Sequence, residues 1–218
     1  MSVDWPFVAQ ILPRFAPAVW ITVQATVAGM AIALTLGLLL ALARRSPNRM
    51  LSVSVSGLIE FTRSTPLLVQ IYFLFYVMPG AGIKMSPLVT GIIALGVHYA
   101  AYCSEVYRAG LEGIPKGQWE AAAALNFSGR QTLTRIIIPQ AIPPVIPALG
   151  NYLIAMFKET PLLSTITVME LLQTAKIIGA ESFRYVEAIT LVGLLFLLMS
   201  LLASAAVRTL DGRLRHAG

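Results

Sequence analysis

Charge is what this sequence has least of. Of 218 residues only 12% are Asp, Glu, Lys or Arg, while 57% are hydrophobic and the mean hydropathy is +0.76. Soluble domains carry about 25% charged residues, so the composition excludes an ordinary soluble domain and points to a chain solvated by lipid. A single cysteine, Cys103, excludes an intrachain disulfide and any cysteine metal cluster. There are two histidines, His98 and His216, and neither a His-Glu-x-x-His run nor a serine–lysine pair. No convergent catalytic set and no metal site are therefore expected. The phosphate loop Gly-x-x-x-x-Gly-Lys-[Ser/Thr] is missing too, so no nucleotide site is expected on this chain. The start, MSVDWPFVAQILPRF, lacks the positive region and small-residue cleavage site of a signal peptide, and the first span is expected to be retained. Neither does the net charge of +6 call for nucleic acid, because in such a chain the distribution of positives matters more than their sum.

What is there is a series of uncharged runs. Crossing about 30 Å of hydrocarbon takes roughly 20 residues, and five runs suffice: 15–43, 64–83, 85–104, 136–157 and 188–207. Only Lys84 separates the second from the third, with Pro79, Gly80, Gly82 and Pro87 around it, which predicts a tight turn between antiparallel spans. An odd number of spans puts the two ends on opposite sides. Eleven Lys and Arg residues (Arg44, Arg45, Arg49, Arg63, Arg108, Lys116, Arg130, Arg135, Arg208, Arg213, Arg215) fall on one side and five on the other. The positive-inside bias makes the richer side cytoplasmic. The N-terminus is then outside, the C-terminus and segment 113–139 are cytoplasmic, and 159–187 is extracytoplasmic, holding a short helix near 166–178 at the outer mouth.

Segment 113–139, GIPKGQWEAAAALNFSGRQTLTRIIIP, carries its own helix grammar. Pro115 suits a helix start, and Gln118–Leu125 is a run of helix formers. Asn126 tolerates the left-handed conformation that ends many helices, and Ser128 with Gln131 makes a capping box for a second helix. The segment reads as a helical hairpin, a handle for another protein. In the first span Ala25, Gly29, Ala33, Gly37 and Ala41 form a row of small residues four apart, a face that lets a second helix approach closely in lipid, within the subunit or across a dimer. Intramembrane polar groups are costly and seldom idle. Gln70 reads as an amide for helix-to-helix hydrogen bonding or a pathway. His98, beside Tyr99 and midway along the third span, reads as a pathway group or a neutral histidine bonded to a neighbouring carbonyl. The fourth span, with Pro139, Pro143, Pro144 and Pro147, is expected to kink and to show Asn151 to a cavity. Glu60 with Arg63, and Glu105 with Arg108, stand three apart and are expected to pair at the rims.

The hairpin resembles the EAA loop of permease subunits of ATP-driven (ABC) importers. Glu120, Ala121, Ala122, Ile136 and Pro139 match that pattern, and Asn126 replaces its glycine. Arg63, Thr65, Pro66 and Leu67 resemble the Arg-x-Thr-Pro-Leu start of a span in the polar-amino-acid branch. Glu105, Arg108 and Gly110 resemble its Ala-Glu-x-x-Arg-x-Gly passage, with Ser104 for the alanine. Lys158, Glu159, Thr160 and Leu162 resemble its Lys-[Asp/Glu/Asn]-Thr-Ser-Leu passage, with Pro161 for the serine, and Glu170-Leu171 its later Glu-Leu. The wording of YLIAMFKETPLLS and GVHYA is most similar to permeases for ectoine and hydroxyectoine.

That resemblance implies an all-α integral membrane protein of the type I importer permease fold: one domain over 1–218, five transmembrane helices and a cytoplasmic coupling hairpin, in a bacterial inner membrane. It implies no catalysis by this chain, with ATP and Mg bound on a partner ATPase dimer. A second permease, identical or related, and an extracytoplasmic substrate-binding protein complete the expected assembly. Trp119, Glu120, Ala121, Ala122, Leu125, Asn126 and Arg130 are the implied coupling residues, Glu120 offering charge and Trp119 or Leu125 an apolar anchor. Gln70, His98, Tyr99, Asn151, Lys158, Glu159 and Thr160 are the expected pathway residues. The alternative, an ATP-independent carrier or channel, calls for coupling carboxylates inside the spans, whereas the ten acidic residues fall at rims or in loops.

Overall fold

The computed structural model describes residues 4–215, and of these the backbone alone for 213–215; His216 lies outside the described residues. The described residues are helical almost throughout, with no strand among them. The first helix, α1 (Trp5–Arg44), is capped by the Asp4 carboxylate, which accepts from Phe7 N–H, and runs for 40 residues. It begins ten residues before the expected run at 15. Its extra turns have a core of their own: Ile11, Phe15 and Ala18 pack with Leu171, Ala175, Ile178, Leu191 and Val192 from the last third of the chain.

The small-residue row of α1 is buried along its whole length, Ala25 through Ala41. It meets α4 (Pro87–Glu112) inside the subunit. A Cβ built on Gly37 would lie 2.8 Å from Cys103 Cβ and 2.9 Å from the Ala100 carbonyl, and one on Gly29 would lie 3.3 Å from Leu95 Cβ. Both contacts advance in the same direction along the two helices, so α1 and α4 are parallel. Parallel neighbours in a bilayer require the chain to recross between them.

That return, in which the run expected to cross at 64–83 lies, is bent. The chain forms α2 (Arg49–Ser64), then α3 (Leu67–Tyr72), which continues through a π turn (Phe73–Val77) and a 3-10 turn (Met78–Ala81). The two limbs meet at 103°. Leu67–Ala81 is too short to cross about 30 Å alone, and the return is a broken span. The break sits at Pro66, which has no N–H for the carbonyl four residues back. The expected turn after it is present, closed by Gly82 at φ 85°.

Beyond α4 lie α5 (Lys116–Ala124) and α6 (Gly129–Thr132), then a π turn (Leu133–Ile137) leading into α7 (Ile138–Glu159). Pro143, Pro144 and Pro147 all lie inside α7. A 3-10 segment (Thr160–Ile166) follows, then α8 (Leu171–Ser182), five residues later than the helix expected at 166–178, and finally α9 (Tyr185–Arg215). Among the described residues four helical stretches are long and apolar enough to span, and the broken pair, taken as one span, makes a fifth. The main core joins α1, α3, α4 and α7 through Ala33, Leu67, Leu95, Tyr99 and Met156.

Candidate functional site

Three sites take shape along α4 and its neighbours. The first is the hairpin. Helix α5 ends with Asn126 at φ 56°. There the Phe127 N–H donates to Ala122 O and the Asn126 N–H to Ala123 O, 3.0 Å each. This is the Schellman pairing, in which the residue after the C-cap is left-handed and is usually glycine. Asparagine is the next most tolerant residue there, and the turn survives the substitution. Ser128 then caps α6 reciprocally: its N–H donates to Gln131 Oε1 at 2.9 Å and its Oγ accepts from Gln131 N–H at 3.3 Å. Ala122 is buried and anchors the hairpin, which Gln140 also ties to α7 by donating to Gln118 Oε1. Glu120, Ala121, Leu125, Asn126 and Arg130 are exposed, Leu125 at 68%, and Trp119 is half-buried.

The second site is a charged chain at the hairpin end of α4. Glu105 accepts from Arg108 Nε at 2.8 Å, as the spacing predicts, but it also holds Arg44 from the end of α1. Arg108 reaches on to Glu112, and Ser52 of α2 donates to the Arg44 carbonyl at 2.6 Å. Three helices are pinned at one point. Arg44 is not singled out by the sequence, where it stands among rim positives, and only its distance of 61 positions from Glu105 hides it.

The third site is a polar cluster walled by tyrosines. Gln70 Nε2 donates to Thr62 O at 2.8 Å and Thr65 O at 3.1 Å. The first of these is the carbonyl that Pro66 leaves without its helical donor, so the amide repairs the break. With Nε2 committed to carbonyls, Oε1 is the atom facing His98 Nδ1 at 3.2 Å, and the imidazole donates from Nδ1. His98 is buried, and its partner is an amide on another helix rather than a backbone carbonyl. Tyr99 donates to Glu159 at 2.8 Å. Tyr102 and Tyr152 close the wall, their ring centroids 5.5 Å apart, and the Arg63 guanidinium lies 5.4 Å from the Tyr102 centroid. Glu60 sits 3.8 Å from Arg63, at the limit of an ion pair.

Of the expected pathway residues, Gln70, His98, Tyr99 and Glu159 come together. Thr160 is buried beside them, but its hydroxyl donates to Phe157 O. Lys158 lines a crevice with Pro161, Phe196 and Ser200, and Asn151 is exposed on α7. Tyr152, absent from the sequence reading, had one available signal, its position beside Asn151 on the proline-rich span. Outside the spans, Glu170 is wholly buried as the cap of α8, accepting from Leu172 N–H at 2.8 Å and Gln173 N–H at 2.7 Å. Burial pushes its carboxyl up to about 7, against the pull of those two N–H groups and of Lys176.

The sequence profile of the binding-protein-dependent transport system inner membrane component family matches residues 33–216. A probable amino-acid ABC transporter permease of Sinorhizobium fredii is 43% identical over 97% of this chain and 92% of its own. The L-cystine transport system permease of Bacillus subtilis is 35% identical over 96% and 92%. Among solved structures, an amino acid ABC transporter with histidines superposes at a TM-score of 0.93 with 31% identity, covering 98% of this chain and 100% of that one. The inward-facing MetNI methionine ABC transporter shares the fold at a TM-score of 0.77 and 19% identity, over 94% and 98%. With its long apolar helices, an exposed capped hairpin and these relatives, the chain belongs to the binding-protein-dependent inner membrane component family, as a multi-pass permease subunit of an ABC transporter and not an enzyme.

Proposed function

We propose that this permease carries a polar amino acid or an amino-acid-like zwitterion inward, driven by ATP and Mg on a partner ATPase dimer that grips the hairpin. The observation that carries the reading is the hairpin itself. It combines a buried anchor at Ala122, two capped ends and an exposed face bearing Glu120, Leu125 and Arg130. A helix presented this way suits a groove: Leu125 enters it, Trp119 braces it from behind, and Glu120 meets a basic side chain of the ATPase. The hairpin then faces the cytosol, in keeping with the eleven-to-five charge bias, with the N-terminus outside and the C-terminus inside. A second permease, identical or related, closes the conduit about a twofold axis, and an extracytoplasmic binding protein delivers the solute at the opposite face.

The polar cluster supports the substrate class. A guanidinium, a carboxylate, a histidine and three tyrosines gather at Arg63, Glu159, His98, Tyr99, Tyr102 and Tyr152. A zwitterion brings one charge of each sign, for which Arg63 and Glu159 are the complementary pair, and the tyrosine faces suit a cationic nitrogen. The named relatives point to amino acids as a class, and ectoine is the compatible solute that the local wording favours. Competition of labelled uptake by ectoine, glutamine, histidine, arginine and cystine in vesicles holding the assembled transporter tests this. Competition by at least one zwitterion of this group is expected; indifference to all five removes the substrate reading. Glu120→Lys is expected to leave membrane insertion intact while releasing the ATPase in pull-down, and retained binding with wild-type uptake would contradict the coupling role.

A further inference from the structure

The turn between α8 and α9 holds a large aromatic residue in an unusual state. Phe183 has φ 57° and ψ 23°, the left-handed region, and its side chain is 89% exposed. A bulky residue at positive φ is a conformational outlier in search of a reason, and burial does not supply one. It has company. Arg184 donates to Asp4 at 2.7 Å and lies over the Phe7 ring at 4.6 Å from its centroid, fastening the start of α9 to the start of α1. Around that fastening stand Trp5, 68% exposed, and Tyr185, 50% exposed. Three exposed aromatics, two at helix starts and one in the turn before α9, thus share one corner with Asp4, Arg184 and the Arg14–Glu181 pair at 2.7 Å.

The height of this corner follows from α9. From Tyr185 to Arg208 the helix rises about 35 Å at ~1.5 Å per residue, slightly more than the hydrocarbon thickness of about 30 Å. With Arg208 at one headgroup layer, Tyr185 reaches the other. Below the corner the two spans expose Leu12 and Trp20 of α1, on either side of the Arg14–Glu181 pair, and Ile189, Leu194 and Leu197 of α9. Tyrosine and tryptophan concentrate at this depth in membrane proteins, ring in the acyl boundary and polar edge among headgroups. We infer that Trp5, Phe183 and Tyr185 form an anchor seated in the headgroup layer on the side opposite the hairpin, with phospholipid as its partner. The anchor fixes the outer ends of α1 and α9 at one depth while the hairpin end is driven. The left-handed backbone at Phe183 is what turns its ring outward between two helices that both head back into the protein.

The test is depth-resolved spin labelling of the assembled transporter in nanodiscs of phosphatidylethanolamine and phosphatidylglycerol. Phe183→Cys is labelled, Cys103 being buried and unreactive, and collision with oxygen is compared with collision with a nickel chelate. The expected label is several-fold less accessible to the chelate than one at exposed Ala180, with oxygen access raised. Trp5→Cys supplies the same reading if the first variant fails to assemble. A chelate accessibility equal to that of Ala180 at both positions overturns the anchor. So does protection that appears only when the binding protein is added, which would make the corner a protein contact. Neither outcome bears on uptake, so the importer reading stands or falls separately.

Discussion

A few residues are each understood by the atom they replace. Gln70 supplies a donor to the carbonyl that Pro66 strands, so Gln70→Leu should cost about 1–3 kcal/mol, the usual penalty for an unsatisfied buried acceptor. Thermal unfolding in detergent should register this loss, and an unchanged midpoint would remove the repair role. Asn126 stands where the family has glycine, so Asn126→Gly should be neutral, whereas Asn126→Val should weaken the hairpin by about 1–2 kcal/mol. Hydrogen exchange across α5 reads that difference. The sequence made Asn126 and Ser128 legible because capping is local, decided within six residues. It left Gln70 open between pathway and bracing, because its partners depend on a bend that no local pattern encodes. Glu170 gives a pH signature. Its folded-state value, about 7, lies above the ordinary 4.5, so the folded protein holds this proton more tightly than the unfolded one. The stabilisation is complete below about pH 4.5 and is lost as pH rises through about 7. Relative to Glu170→Gln, the unfolding midpoint of the native chain should decline across that window; parallel curves would mean that the carboxyl is not buried as described.

Elements reveal how the hairpin end is joined to the rest of the bundle. Helices α1 and α4 touch so closely at Gly37 that an added Cβ would overlap Cys103 and the Ala100 carbonyl, and Arg44, Glu105 and Arg108 pin their hairpin ends. The pair is packed and pinned as one unit. Gly37→Leu should therefore abolish accumulation of folded protein, since overpacking costs about 1–3 kcal/mol or more where backbone is the obstacle. Arg44→Gln should leave assembly and basal ATP hydrolysis near wild type while lowering solute moved per ATP roughly tenfold, corresponding to about 1.4 kcal/mol of lost coupling. Arg44→Lys should recover part of it, and an unchanged ratio in Arg44→Gln would show that the pin plays no part in transmission. The small-residue row was readable from its spacing of four, yet the choice between a partner helix in the subunit and one in a dimer required the fold. The Glu105–Arg108 pair was readable because three positions apart on a helix means adjacent. Arg44 was not, because no spacing rule reaches 61 positions.

For the whole molecule, four of the uncharged runs fall largely within long apolar helices among the described residues, and the fifth, 64–83, falls on a helix that meets α2 at a bend. The uncharged run at 64–83 is real, but α2 before it carries Arg49, Glu60 and Arg63 and leaves Met50, Val53, Leu58 and Phe61 exposed. Its amphipathic pattern says helix without saying at what angle it meets α3. Similarly, α1 extends beyond its uncharged run because a second core with α8 and α9 pays for its first turns, a partnership invisible along the chain. The class of the protein was legible because lipid imposes helix lengths and the hairpin imposes caps, and both are written in short stretches.

On the proposed function, this conduit moves solute only when an ATPase works its hairpin. The direct measurement is accumulation of labelled zwitterion in proteoliposomes, with ATP and Mg on the hairpin side and binding protein on the other. With the partner ATPase present, uptake should depend on ATP and disappear in Glu120→Lys. Concentration of solute by this chain reconstituted alone, without nucleotide, would show that no ATPase is needed.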